Sequence, residues 1–196
     1  MRKHRFDEQY YSRYYESPRT RVISQEDIAR LGRFACSYIE YLELPVRRVL
    51  DMGCGLGHWQ PVINRYFPAA TYTGVELSEY LCKRFGFQQG SVTDYVGRGR
   101  FDFVICQGVL QYLDRNEYRL AIENLARLCR GVLYLEVLSR EDWENNCDRK
   151  LTDGDVHLRS IRTYRRHLSP HFITLGGGLF LSRSAPVTLY ELEKLE

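Results

Sequence analysis

The sequence predicts an α/β protein built on a doubly wound, mostly parallel sheet of seven strands with an antiparallel C-terminal hairpin. Short apolar runs alternate with segments whose apolar residues recur at helical spacing, which is typical of parallel strands joined by crossover helices. A glycine-rich turn follows the first of these strands. Near the C-terminus, two apolar runs at 172–175 and 179–182 flank three consecutive glycines, which predicts the hairpin.

The first strand and the turn after it are the centre of the predicted fold. The strand covers Arg48–Met52, and glycines follow at positions 53, 55 and 57. Apolar residues then fall at helical spacing as far as Tyr66. Glycine adopts positive φ readily and lets a ligand approach without meeting a Cβ, and the start of a helix presents unpaired N–H groups. The strand, turn and helix therefore predict a ligand site.

Two kinds of ligand are considered for this turn, a dinucleotide and a nucleoside that bears an amino acid. A dinucleotide-binding fold would place G-x-G-x-x-G here, whereas this chain has G-x-G-x-G with Asp51 two residues before the first glycine. A carboxylate inside the turn would repel a pyrophosphate but suits a cationic amine, as in a nucleoside that bears an amino acid. Glu76 ends the next apolar run. It does not distinguish between the two ligands, because an acid at this position can hold a ribose diol in either fold.

Residues 49–57, Val-Leu-Asp-Met-Gly-Cys-Gly-Leu-Gly, resemble motif I of the class I S-adenosylmethionine (SAM)-dependent methyltransferases. Four further segments keep the order and spacing of that family, so that the resemblance extends from Asp27 to Ser182. It implies a Rossmann-like methyltransferase fold that forms a single domain over residues 1–196. It also implies methyl transfer from SAM to a small or medium polar acceptor.

The resemblance further implies which residues hold SAM. Asp51 would meet the amino end of the cofactor, Glu76 would accept hydrogen bonds from the ribose hydroxyls, and Gln107 would lie near the sulfonium. A carboxylate suits a diol because it offers only acceptors. The whole set carried over by matching position is Asp51, Gly53, Cys54, Gly55, Gly57, Glu76, Leu77, Ser91, Val92, Gln107 and Gly108.

The chain departs from the family pattern at two places. Ser91 stands where the family often has an acid that contacts adenine, and Asp94 is either a replacement for that acid or an ordinary loop acid. Gln111 and Tyr112 stand where the family often has two histidines. These departures keep open a second hypothesis, in which the chain binds SAM but acts as a non-catalytic regulatory or scaffolding protein.

The sequence does not identify a catalytic residue, because methyl transfer needs a base only when the acceptor arrives protonated. Candidate bases, in falling order, are Tyr112, His157, Glu136 and His58, and a structural role is favoured for each. Cys106 ends a predicted strand without a preceding proline, and we interpret it as a buried thiol and not as a nucleophile.

Two segments outside the central elements are candidates for covering the site. Residues 1–26 carry tyrosines at 10, 11, 14 and 15, which would share one helical face. They predict either a helix docked on the core or a lid over the cofactor. Residues 139–157 follow the fifth strand, at the edge of the sheet where open α/β folds bind ligands. They predict either a substrate-side loop or a plain surface connection.

A basic cluster follows that loop and consists of Arg159, Arg162, Arg165, Arg166 and His167. It is either a solvated helix face or a site for an anionic acceptor, since arginine matches carboxylate and phosphate. It also raises RNA modification as a third hypothesis. The net charge of only +3 and the absence of the amino-methylating motif argue against nucleic acid. His171 is spaced four residues after His167, but Pro170 lies between them, so we expect no metal site.

Composition sets the remaining expectations. A chain of 196 residues suits one domain with a real core. Its six cysteines are scattered and form no C-x-x-C pair, which indicates free thiols in a reducing compartment. The N-terminus lacks the apolar segment of a secretory signal, and no apolar run approaches the ~20 residues that span a bilayer. We therefore expect a cytoplasmic protein without membrane contact, of undetermined oligomeric state.

Overall fold

The computed structural model describes residues 6–17 and 24–194. Within these ranges seven strands form one sheet in the order β3-β2-β1-β4-β5-β7-β6. The strands are β1 Arg48–Met52, β2 Thr71–Glu76, β3 Gln88–Gln89, β4 Phe101–Gln107, β5 Cys129–Glu136, β6 Phe172–Gly176 and β7 Leu179–Ser182.

The first five strands and β6 run in the same direction, whereas β7, which lies between β5 and β6, runs in the opposite direction. β1 pairs in parallel with β2 on one side and with β4 on the other, so that Asp51 lies between Gly74 and Ile105. β7 pairs antiparallel with β5 and with β6. The predicted doubly wound sheet with an antiparallel hairpin is confirmed.

Helices cover both faces of the sheet. They are α1 Glu8–Tyr11, α2 Gln25–Tyr41, α3 Trp59–Tyr66, α4 Glu79–Phe85, α5 Glu117–Leu128, α6 Arg140–Asn145 and α7 Ile161–Leu168. Side chains of β1 alternate between the two cores, because successive Cβ atoms of a strand point to opposite faces. Leu50 and Met52 pack with residues of α5 and α7, whereas Val49 packs with residues of α2 and α3.

Local contacts set the bounds of three of these elements. β3 is only two residues long and pairs with the end of β2 at the sheet edge. The segment after β5 contains α6, which begins with a capping box between Ser139 and Asp142. The helix α7 begins at Ile161, after the N-cap Ser160.

The tyrosine-rich segment near the N-terminus is helical, but it is not one regular α-helix. The single turn of α1 continues as a π-helical turn over Ser12–Glu16. The rings of Tyr10 and Tyr14 lie 5.0 Å apart and those of Tyr11 and Tyr15 lie 5.4 Å apart, so the predicted ring cluster is present. Residues 1–5 and 18–23 of the proposed lid lie outside the described residues.

None of the helices in the described ranges is both long and apolar enough to cross a lipid bilayer.

Candidate functional site

A cavity of about 600 Å³ lies at the carboxyl ends of the parallel strands. The segments that follow β1, β2, β3, β4 and β5 all contribute to its wall, together with the N-terminal tyrosines and part of the segment after β5. Parallel strands end at one edge of the sheet, where open α/β sheets bind ligands. The volume falls within the ~300–1,000 Å³ typical of small-molecule sites.

Ten of the eleven residues implied by the motif resemblance lie on this wall, and Gly57 is the exception. Gly57 is buried with φ +74°, and a Cβ there would come within 2.7 Å of the Phe87 ring. In this structure the contact of Gly57 is close packing, and its expected contact with a ligand stays a prediction. Gly55 differs, because at φ +53° it has no neighbouring atom within 4 Å of a Cβ position.

The carboxylate of Glu76 is the most heavily bonded group of the site. It is 5% exposed, and Gly55 donates its N–H to Oε2 over 2.9 Å. The N–H groups of Leu77 and Ser78 donate to Oε1 over 2.8 and 2.9 Å. The Tyr11 hydroxyl donates to the same oxygen over 3.3 Å. Glu76 therefore joins the glycine turn, the end of β2 and the N-terminal segment.

Asp51 is buried at the end of β1, with 2% of its surface exposed. Burial raises the pKa of this carboxyl to about 7, opposed by the hydrogen bond from Tyr72 and assisted by nearby Glu76. The Tyr72 hydroxyl donates to Oδ2 over 2.6 Å. Asp51 is thus a buried carboxyl on the cavity wall with a pKa close to neutral pH.

Gln107 is held in one orientation at the end of β4. Its Oε1 accepts a hydrogen bond from Trp59 Nε1 over 2.8 Å, and its Nε2 donates to Glu136 Oε2 over 3.1 Å. The Tyr134 hydroxyl donates to that same oxygen over 2.9 Å. This chain of bonds fixes a polar amide and a carboxylate beside each other on the cavity wall.

Ser91 lies on the cavity wall, but Asp94 does not. Ser91 Oγ lies 2.8 Å from Thr93 Oγ1, which orders the turn after β3. Asn124 Nδ2 donates to the Val92 carbonyl over 3.0 Å, so the same turn is also tied to α5. Asp94 is exposed, and the suggestion that it takes the place of the family's adenine-contacting acid has no support in its position.

The N-terminal segment covers one side of the cavity. The Phe6 carbonyl accepts a bond from Ser78 Oγ over 2.5 Å, and the hydroxyls of Tyr10 and Tyr112 lie 2.8 Å apart. Tyr11 and Tyr15 complete the ring cluster on the wall. Burial raises the pKa of Tyr10 and of Tyr15, so both phenols stay neutral at ordinary pH.

The candidate bases separate clearly by position. Tyr112, Glu136 and His58 line the cavity, whereas His157 is exposed and lies outside its wall. The His157 backbone N–H donates to the Gln111 carbonyl over 2.8 Å, which is a structural contact. Burial lowers the pKa of His58 and keeps it neutral.

Cys106 is fully buried, and burial raises the pKa of its thiol, as is typical of a structural cysteine.

The segment after β5 contributes a further part of the cavity wall. Its lining residues are Asp142, Asn146, Cys147, Asp148, Leu151, Thr152 and Asp153. Trp143 of the same segment is not on the wall. It packs against Gly154 and under the Arg149 guanidinium at 5.5 Å. Seven of the 19 residues in the predicted substrate-side loop, 139–157, therefore lie on the cavity wall.

The basic cluster of residues 159–167 does not line the cavity. Arg159 lies 4.2 Å from the Tyr118 ring centre and donates to the Leu113 carbonyl over 2.6 Å, so it fastens the segment after β4. An anionic acceptor bound by this cluster is therefore not supported by its position. Within residues 6–17 and 24–194, no three His, Cys, Asp or Glu side chains are arranged to hold a metal ion.

Sequence reasoning missed several wall residues. Ile28, Leu138 and Leu151 are apolar residues without a motif, and only folding brings them together. Gln111 was noted only as a departure, yet it is 7% exposed, lines the cavity and leaves its Oε1 without a hydrogen-bond partner among the described residues. Its place shortly after the end of β4, at the edge of the sheet where open α/β folds bind ligands, was the available signal.

The chain is similar to known methyltransferases in sequence and in fold. Residues 24–174 match the family described as methyltransferase domain, which is well over half of the chain. Trans-aconitate 2-methyltransferase from Deinococcus radiodurans is 31% identical over 113 residues. That match covers 51% of this chain and 41% of the relative, so it spans less than half of the relative's length.

Two solved structures share the fold at low sequence identity. DesVI from Streptomyces venezuelae superposes with a TM-score of 0.59 at 16% identity, covering 80% of this chain and 91% of that one. The plantazolicin methyltransferase BpumL, solved in complex with SAH, superposes with a TM-score of 0.56 at 14% identity, covering 74% of this chain and 63% of that one. At these identities the likeness establishes the architecture.

Proposed function

Because this chain belongs to the methyltransferase domain family, we propose that it transfers a methyl group from SAM to a small or medium polar acceptor. The observation that carries the proposal is the convergence of the motif residues. Ten of the eleven positions implied by the resemblance, drawn from the ends of four parallel strands, line one cavity. The chain would act as a single domain, with the N-terminal tyrosines as its lid.

Each of the main polar residues has a proposed role toward the cofactor. Asp51, on the cavity wall, would hold the cationic amino end of SAM. Glu76, with its oxygens facing the glycine turn, would accept the ribose hydroxyls. Gln107 and Glu136, held side by side, would face the sulfonium, where oxygen atoms stabilise a cation. Ser91 and Val92 would lie beside the adenine.

Methyl transfer requires the protein mainly to position the cofactor and the acceptor. When bound, SAM supplies the methyl group, whose bond to sulfur breaks as a lone pair of the acceptor bonds to the carbon, leaving S-adenosylhomocysteine and a proton lost from the acceptor. The cavity wall holds the acceptor in line and excludes water. Tyr112, with its hydroxyl 2.8 Å from that of Tyr10, is placed to orient the acceptor from the lid side.

Calorimetric titration of the purified protein with S-adenosylhomocysteine, with NAD as the comparison ligand, tests the cofactor assignment. One-site binding of the first in the micromolar range, with none of the second, is the expected result. No binding of S-adenosylhomocysteine would reject the proposal.

Glu76→Ala should reduce affinity for S-adenosylhomocysteine at least about tenfold, since a hydrogen-bonded charged group contributes ~1.5–3 kcal/mol. Glu79→Ala is the matched control, because Glu79 is an exposed acid on α4 outside the cavity wall. Glu76 also holds three backbone N–H groups, so the thermal midpoint of each variant must be measured alongside binding. Unchanged affinity in a folded Glu76→Ala protein would reject the ribose assignment.

Measurement of methyl transfer distinguishes an enzyme from a non-catalytic SAM-binding protein. Methyl-labelled SAM incubated with the protein and a broad panel of small polar acceptors should yield labelled product. Tight cofactor binding without product across the panel, together with a stable protein partner, would favour the scaffolding hypothesis that the Ser91 and Gln111 departures raised. RNA modification gains no support here, since the basic cluster lies outside the cavity wall.

A further inference from the structure

We propose that Tyr72 is a positioning residue for the cofactor, because its hydroxyl orients the Asp51 carboxylate toward the cavity and favours the charged form of that group. The inference rests on the proposed function, in which Asp51 holds the amino end of SAM. Tyr72 is a partly buried residue of β2 that lies outside the cavity wall. It can therefore affect the cofactor only through a residue that does line the cavity.

The register of the sheet brings Tyr72 to Asp51. In the parallel pairing of β1 with β2, Gly74 lies beside Asp51 and Tyr72 lies beside Val49. Residues two apart in a strand share a face, so the Tyr72 side chain lies on the same face of the sheet as Asp51. Gly74 has no side chain that would separate them. On the other side of β1, the neighbour of Asp51 is Ile105, which is apolar and fully buried.

The hydrogen bond occupies one oxygen of the Asp51 carboxylate and leaves the other for a ligand. The Tyr72 hydroxyl donates to Oδ2 over 2.6 Å, within the range of about 2.5–2.7 Å for a hydroxyl that donates to a charged oxygen. Oδ1 has no hydrogen-bond partner among the described residues, and it is not fully buried. Because Asp51 lies on the cavity wall, Tyr72 fixes the carboxylate with Oδ1 available to the cavity.

Tyr72 also favours the charged form of Asp51 against the surroundings of this carboxyl. Burial raises the pKa of Asp51, the hydrogen bond from Tyr72 lowers it, and the nearby Glu76 carboxylate raises it. The thiols of Cys54 and Cys106 also face Asp51, but burial raises the pKa of both thiols and of the Tyr72 phenol, so all three stay neutral near pH 7. Without the Tyr72 hydroxyl, Asp51 would be protonated up to a higher pH and would then lack the charge that pairs with a cationic amine.

Calorimetric titration with S-adenosylhomocysteine, repeated between about pH 6 and about pH 8.5, tests the role of the hydroxyl. Tyr72→Phe keeps the ring and removes the donor. The pH below which affinity falls should move upward by about one unit, because a hydrogen bond to a charged group favours that form about tenfold. Since the pKa of Asp51 is about 7 in the wild type, this shift weakens the complex about fivefold at pH 7.

Two comparisons separate positioning from a merely structural role. Tyr41→Phe is the matched control, because the Tyr41 hydroxyl also donates to a carboxylate, that of Glu193 over 2.8 Å, but lies outside the cavity wall. It should leave the pH profile of binding unchanged. In an Asp51→Asn background, any effect of Tyr72→Phe on affinity should be the same at every pH. A merely structural loss would lower affinity without moving the pH profile.

A second substitution tests the opposite direction and keeps the shape of the side chain. In 3-fluorotyrosine the ring fluorine makes the phenol more acidic and therefore a stronger hydrogen-bond donor. Its incorporation at position 72 should move the pH profile downward, in the direction opposite to Tyr72→Phe. This variant provides the test even where Tyr72→Phe lowers the thermal midpoint too far for titration.

The outcomes distinguish the inference from the proposed function. Failure of the wild type to bind S-adenosylhomocysteine would reject the proposed function itself. If the wild type binds but the pH profile is the same with phenylalanine or fluorotyrosine at position 72, the positioning role of Tyr72 alone is overturned. A shift of equal size in the Asp51→Asn background would overturn it as well. Opposite shifts for the two substitutions, both absent without Asp51, support it.

Discussion

The Tyr11 hydroxyl donates a hydrogen bond to Glu76 Oε1 over 3.3 Å and joins residues 65 positions apart in the chain. The same carboxylate accepts three backbone N–H bonds of 2.8–2.9 Å, from Gly55, Leu77 and Ser78. Each carboxylate oxygen offers about two acceptor positions, so Oε1 with its three donors is fully engaged, whereas Oε2 accepts from Gly55 alone. A ribose hydroxyl that donates to Oε1 therefore has to displace a partner, and the Tyr11 bond is the longest of the four.

Tyr11→Phe should strengthen binding of S-adenosylhomocysteine, because it removes the group that competes with the ribose. A single hydrogen bond has a net value of about 1 kcal/mol, which corresponds to about a fivefold change in affinity. Calorimetry on the wild type and the variant measures it. Tyr38→Phe, which removes a hydroxyl on α2 away from the cavity wall, is the control. A weaker Tyr11→Phe complex would instead make the Tyr11 hydroxyl part of the ribose site.

Cofactor affinity should depend on pH through Asp51. Burial raises the pKa of this carboxyl to about 7, so it is protonated below that value and charged above it. The cationic amino group of the cofactor binds the charged form, and binding below this pKa therefore requires proton release. Affinity for S-adenosylhomocysteine should fall by up to about tenfold per pH unit below about 7, and should level off above it.

Asp51→Asn keeps an acceptor for the Tyr72 hydroxyl but removes the titration. Its affinity should be lower than that of the wild type at neutral pH and nearly independent of pH. A pH dependence that persists unchanged in this variant would assign the titration to another group.

Substitution of two glycines in the same turn should have different effects, one mainly on stability and the other mainly on cofactor affinity. In Gly57→Ala, positive φ costs about 1–2 kcal/mol and the Cβ adds strain of about 1–3 kcal/mol against the Phe87 ring. Gly55→Ala has only the free-energy cost of positive φ, but it places its Cβ at the cavity wall. Chemical denaturation should show the larger loss of stability for Gly57→Ala, and calorimetry the larger loss of S-adenosylhomocysteine affinity for Gly55→Ala. The reverse ranking would contradict the assignment of Gly57 to packing.

The cysteines should divide into two groups in a thiol-modification experiment. Burial raises the pKa of Cys36 and Cys129 to about 12, and also raises the pKa of Cys54 and Cys106. These four thiols are buried, whereas Cys82 and Cys147 are partly exposed. Peptide mapping of the native protein should find modification at the last two, with all six reacting after denaturation. Rapid native modification of Cys106 would reopen its role as a nucleophile.

The sequence by itself determined the order of the strands and helices and the positions of the main candidate acids. A near-continuous apolar run is typical of a parallel strand that is buried on both faces. Such a run predicted a strand at residues 48–52, and β1 lies at these residues. The positions of Asp51 and Glu76 could be predicted from those strands, because a residue at the carboxyl end of a parallel strand lies at the ligand-binding edge of the sheet.

Tertiary structure alone decided which side chains face the cavity. Gly57 meets Phe87 and Tyr11 meets Glu76 through contacts between segments far apart in the chain, which no local period encodes. The six residues of α6 make fewer than two turns, too few to show a helical period. The acidic and aromatic character of this part of the cavity wall arises in the same way. It joins residues 6–15, 112 and 142–153, and only the packing of these segments around the strand ends places them on one wall.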